Sequence, residues 1–127
     1  IGMMKGIFKE RLILAYGLNK EELDKLNLKF STICKEPVLV ITSDMGNCTL
    51  EQILKGQELK VSLKVLPDEK VVIFNGFQGV YLQNGVKNVR EVLGSEPILA
   101  STTPNSVKMS LYELIDHLVQ ERTLYKK

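Results

Sequence analysis

Thr102, Thr103 and Asn105 follow an apolar run, and with Asn75 and Gly76 they supply the small hydroxyl, amide and glycine groups that bind phosphate or carboxylate. Such groups hold an anion through backbone N–H donors and the positive end of a following helix. Earlier in the chain Tyr16, Gly17, Thr42, Ser43 and Asp44 stand after two comparable apolar runs. Asp44 adds a carboxylate that could act as a general base, with Thr102, Thr103 and Asn105 orienting a phosphorylated or carboxylated substrate. The same residue types are also good turn and cap formers, which is the simpler account of each one taken alone.

No stronger chemical signal accompanies them. Neither G-x-G-x-x-G nor G-x-x-x-x-G-K-[ST] follows any apolar run, so dinucleotide and P-loop chemistry have no support. His117 has no Ser, Cys or Asp partner placed by sequence, and no catalytic residue is assigned. Two cysteines, Cys34 and Cys48, occur without a C-x-x-C pair, so neither a metal site nor a cofactor is expected.

The elements that must position these residues come in two similar sets. E-R-L-I-L-A-Y-G-L from Glu10 lines up with E-K-V-V-I-F-N-G-F from Glu69, an offset of 59 residues. E-P-V-L-V-I-T-S-D from Glu36 lines up with E-P-I-L-A-S-T-T-P from Glu96, and C-T-L-E-Q-I-L from Cys48 with M-S-L-Y-E-L-I from Met109. An internal repeat constrains architecture more than propensity does. Each set opens with a continuous apolar run, 12–16 or 71–74, ending at Gly17 or Gly76, as expected of a strand covered on both faces. A helical stretch follows. In the first set Asn19 and Glu22 form a capping pair ahead of Leu23, Leu26 and Phe30, and in the second Leu82, Val86, Val89 and Leu93 share a face before Gly94.

A second strand is expected at 38–41 and again at 98–100, each entered through Glu-Pro. Each set closes with a helix whose start matches the capping box, Thr49 with Gln52 and Ser110 with Glu113. Leu111, Leu114, Ile115, Leu118 and Val119 make the last helix amphipathic.

Between the sets Leu59, Val61, Leu63 and Val65 alternate with Lys60, Ser62 and Lys64, which predicts a half-exposed edge strand, with an extended linker as the alternative. The expected fold is therefore α/β: internally duplicated β-α-β-α units, about 10–56 and 69–122, joined by a 57–68 strand or linker. One mainly parallel sheet with flanking helices and an extra edge strand would form a single domain. In a parallel sheet the carboxyl ends of all four repeat strands share one rim, which is where the ten polar and glycine residues would gather.

The chain has 127 residues, 44% of them hydrophobic and 25% charged, which suits one soluble globular domain and excludes disorder. Its net charge is +2 with acids and bases interleaved, short of the basic face a nucleic-acid binder needs. No run reaches a membrane-spanning length and the first residues do not read as a secretion signal, so a cytoplasmic setting is expected.

Thr103-Pro104-Asn105 and the helix S-L-Y-E-L-I-D-H-L-V-Q-E give the second set a resemblance to a small bacterial α/β domain family of unknown function, over about residues 69–121. The shared features are an opening apolar strand ending near a glycine, a Thr-Pro-x-Asn-like turn and a closing acidic amphipathic helix. The resemblance implies a cytoplasmic bacterial protein and carries over no activity and no catalytic residue. The functional expectation is a non-enzymatic binding or regulatory module for a small anionic ligand or a protein partner, with self-association into a homo-oligomer through the lysine-bearing edge strand or the face of the final helix as a third reading. A small metabolite enzyme is the alternative, and neither membrane nor nucleic acid is an expected partner.

Overall fold

The computed structural model describes residues 9–125. Along the chain run β1 (Leu12–Tyr16), α1 (Lys20–Lys29), β2 (Leu39–Ile41), α2 (Leu50–Leu54), β3 (Val71–Asn75), α3 (Val80–Leu93), β4 (Ile98–Ser101) and α4 (Leu111–Tyr125). The order β-α-β-α therefore occurs twice. Local chemistry sets most boundaries. The Asn19 side chain accepts from the Glu22 amide at 2.8 Å while the Glu22 carboxylate accepts from the Asn19 amide at 2.9 Å. Thr49 and Gln52 repeat this box at 3.1 and 3.0 Å, and the Ser110 hydroxyl caps α4 through the Glu113 amide at 3.2 Å. Such caps satisfy amide donors that the first helical turn leaves unpaired.

The four strands lie in the order β2-β1-β3-β4. Within each half the pairing is parallel, β1 with β2 and β3 with β4. Where the halves meet, β1 and β3 are antiparallel, with Leu14 opposite Ile73, Leu12 opposite Asn75 and Tyr16 opposite Val71. The sheet is mixed, which corrects the expectation of a mainly parallel one. Continuous apolarity reports burial on both faces and carries no information about strand direction.

Corresponding positions meet across this junction. Leu14 and Ile73 are 59 residues apart and face each other. Gly17 and Gly76 have φ of 81° and 77°, and a Cβ on them would lie 1.9 Å from the Glu69 carbonyl oxygen and 2.2 Å from that of Glu10. Both halves thus use a glycine to let the entering backbone of the other half pass. An isolated antiparallel bridge joins Thr49 to Ser110, the two cap residues.

Helices cover both faces. Leu12, Leu14, Tyr16, Val71 and Ile73 pack on one side with Leu50 and Leu54 of α2 and Leu111, Leu114 and Ile115 of α4. On the other side Ile13, Val72 and Phe74 pack with Leu26 of α1, Phe30 and Val89 of α3. There the Phe74 and Phe77 rings meet edge-on at 5.2 Å, with Phe30 6.0 Å from Phe77. Residues 57–68 form no strand, which corrects the expected edge strand and leaves the linker alternative. Its backbone is held to the loop after β2 rather than to a strand, and Leu66 is buried while Val61, Leu63 and Val65 are 72%, 104% and 63% exposed. Among the described residues no helix covers those three side chains, so their alternation buries nothing.

Candidate functional site

Because β1 and β3 run in opposite directions, the carboxyl ends of β1 and β2 lie at one end of the sheet and those of β3 and β4 at the other. Tyr16, Gly17, Thr42, Ser43 and Asp44 are therefore separated from Asn75, Gly76, Thr102, Thr103 and Asn105 by the length of the strands. The single rim is replaced by two clusters, and Asp44 is not brought to the threonines it was expected to serve.

At the β3–β4 end the polar groups are turned on one another. Asn75 is fully buried, its amide nitrogen donating to the Glu10 carbonyl at 2.9 Å and its oxygen accepting from the Thr102 hydroxyl at 2.9 Å. Thr103 and Ser106 exchange amide-to-hydroxyl bonds at 2.8 and 2.9 Å, closing the turn that contains Pro104 and Asn105. Ser106 completes this turn and was missed in the sequence, although a hydroxyl three residues after Thr103 is the capping spacing. Asn105 is exposed and its carbonyl accepts from the Lys108 amide at 3.1 Å.

At the β1–β2 end the buried Tyr16 hydroxyl donates to the Pro67 carbonyl at 2.7 Å, and burial, with the nearby Asp68 charge, pushes its ionisation up. The Thr42 hydroxyl donates to the Asp44 carboxylate. The Asp44 and Ser43 carbonyls accept from the amides of Ser62 at 2.8 Å and Leu66 at 2.9 Å. These residues tie the linker down.

A cleft of about 990 Å³ opens beside this cluster, lined by Glu69, Lys70, Arg90, Glu96, Arg122 and their neighbours. Each of its cations has protein partners. Lys70 bonds Glu22 at 2.8 Å and Glu96 at 3.2 Å, Arg90 donates to the Pro97 carbonyl at 2.8 Å, and Arg122 pairs with Glu69. The hydrogen bonds it donates to Glu22 and then to Glu96 push the ionisation of the Lys70 ammonium above its ordinary value. Burial pushes the Glu22 carboxyl up, but the Lys70 and Asn19 hydrogen bonds outweigh it and hold the group below its usual range.

The most open chemical feature is the linker itself. Between Leu59 and Leu66 the backbone bonds that hold it to the rest of the chain come from even-numbered residues: the amides of Ser62 and Leu66, and the Lys60 carbonyl, which accepts from the Cys48 thiol at 3.7 Å, while the Lys64 amide donates to the Ser62 hydroxyl at 3.2 Å. The N–H and carbonyl groups of Leu59, Val61, Leu63 and Val65 have no partner among the described residues. Alternation of this kind is what an edge strand shows, one side docked and the other free. Tyr112 braces the docked side. Its hydroxyl lies 3.3 Å from that of Ser62, its ring sits under Lys64 at 5.2 Å, and Gly46 makes room for the ring, since a Cβ there would lie 2.3 Å from it.

Among the described residues no cluster of three or more His, Cys, Asp or Glu could hold a metal ion, and no helix is long and apolar enough to cross a membrane. A family model described as a domain of unknown function (DUF3783) matches residues 70–125, the span from β3 through α4 and close to the resemblance read over residues 69–121. No curated protein and no solved structure matches the chain.

Proposed function

We propose that the chain is a non-enzymatic binding module of the bacterial cytoplasm that engages a protein partner by strand addition along residues 59–65. The observation that carries this is the alternation just described: free backbone groups on odd-numbered residues beside the exposed side chains of Val61, Leu63 and Val65. Strand addition draws affinity from main-chain bonds and specificity from alternate side chains. Its test is photo-crosslinking from position 63 in the cells that produce the protein, with exposed position 84 on α3 as the control. A discrete adduct from position 63 is expected, and adducts no stronger than those from position 84 would contradict the proposal.

The scaffold behind this edge is proposed to be two copies of one β-α-β-α unit. Support comes from Leu14 facing Ile73, from the reciprocal passage of Glu69 by Gly17 and Glu10 by Gly76, and from the Thr49–Ser110 bridge.

One observation favours a small anionic ligand as a second reading. The Glu96 side chain on Lys70 is 72% exposed, so a ligand carboxylate or phosphate could take its place. A thermal-shift panel of phosphorylated metabolites and organic acids tests this. A ligand at 100 times its dissociation constant would stabilise the fold by about 2.7 kcal/mol, and loss of that shift in Lys70→Ala would locate it.

A further inference from the structure

We infer that the strand added along this edge is the same segment of a second copy, antiparallel, with Val61 of one chain opposite Val61 of its partner. The inference rests on the strand-addition proposal and names its partner. Charge favours a second copy as partner and is satisfied in this register. The exposed segment carries Glu58, Lys60 and Lys64, none of which has an ion-pair partner among the described residues. With the two-fold axis at Val61, Glu58 of each chain lies opposite Lys64 of the other, Lys60 opposite Ser62, and Leu59 opposite Leu63.

The neighbouring registers are worse. An axis at Ser62 sets Lys60 against Lys64, one at Lys60 sets that lysine against itself, and one at Leu63 sets Glu58 against Asp68. Like charges directly opposite are destabilising, whereas opposite charges and aliphatic pairs contribute. The backbone agrees with the same register. Antiparallel partners that exchange both main-chain bonds must be residues whose N–H and carbonyl point outward. Here the Lys60 carbonyl and Ser62 amide are held toward the body, which in extended backbone turns the groups of Val61 outward, and the Val61 axis pairs Val61 with itself and Leu59 with Leu63.

A two-fold axis also closes the pairing, so the edge is covered without propagating into a fibre. The bend at Leu63 and Lys64 must straighten on pairing, while the Ser62 and Leu66 amides keep their bonds to the body.

Sedimentation equilibrium of the full chain from 1 to 500 µM, concentrations chosen to bracket roughly micromolar affinity, is the test. The mass is expected to rise from that of one chain, 14.3 kDa, toward twice that value. Val61→Pro removes a free N–H at the axis and should abolish the rise, with circular dichroism verifying that the monomer stays folded. Glu58→Lys should weaken association about ten-fold through two repulsive pairs, and Glu58→Lys with Lys64→Glu should restore it. A single-chain mass at every concentration overturns the inference, as does a dimer indifferent to Val61→Pro or to the charge exchange. An adduct from position 63 to a protein of another mass would overturn it too while leaving strand addition itself standing.

Discussion

Gly76 shows how much one residue can carry in this chain. Gly76 and Gly56 have similar positive φ, 77° and 66°, but a Cβ at Gly76 meets the Glu10 backbone whereas one at Gly56 meets nothing within 4 Å. Gly56→Ala should therefore cost about 1 kcal/mol, the conformational strain alone. Gly76→Ala should cost about 3 kcal/mol or more, because backbone must also shift. Urea denaturation of both variants measures the difference, and equal costs would contradict the close approach. Lys70 and Glu22 give a pH signature. Glu22 titrates low when folded, so its contribution is present above its unfolded pKa and fades as pH falls through the folded value; Lys70 titrates high, so its contribution is present below its unfolded pKa and fades as pH rises through the folded value. Glu22→Gln should accordingly lower stability at pH 7 and make little difference near pH 2, read from the same denaturation curves. At this scale the sequence showed residue types well and partners poorly. Thr102 and Asn75 are both legible as polar, but that each satisfies the other follows from β3 and β4 lying side by side.

Among the elements, those with a local code were the most legible. The capping pairs at Asn19 and Thr49 sit where their spacing placed them, and Gly94 ends α3. Thr49→Ala should cost about 1 kcal/mol, measured by chemical denaturation, since it leaves the Gln52 amide without its acceptor. The chain around residues 57–68 was misread because alternation describes side chains, and a strand needs partners for its backbone. Lys60, Ser62 and Leu66 found theirs in Cys48, Asp44 and Ser43, which are loop and turn residues. The pattern was that of a strand, and the backbone groups of Leu59, Val61, Leu63 and Val65 have no partner among the described residues.

Over the whole molecule, direction decided what sequence could not. Both central strands are buried on both faces, so parallel and antiparallel junctions read alike in the chain. The antiparallel choice separates the two polar clusters and leaves the linker, which spans from one half to the other, at the surface. The halves share one sheet and two common cores, with Leu14 and Ile73 in one and Ile13 and Val72 in the other. They should accordingly unfold together. Far-ultraviolet and near-ultraviolet circular dichroism are expected to give coincident urea transitions, and separated ones would mean that each half is stable alone.

Residue-resolved amide exchange, compared between dilute and concentrated protein, tests the central claim about the 59–65 edge most directly. The amides of Leu59, Val61, Leu63 and Val65 should exchange freely when dilute and slow together when concentrated, while those of β1 and β3 are protected in both. Free exchange at those four positions under both conditions, or protection of them already in the dilute monomer, would contradict it.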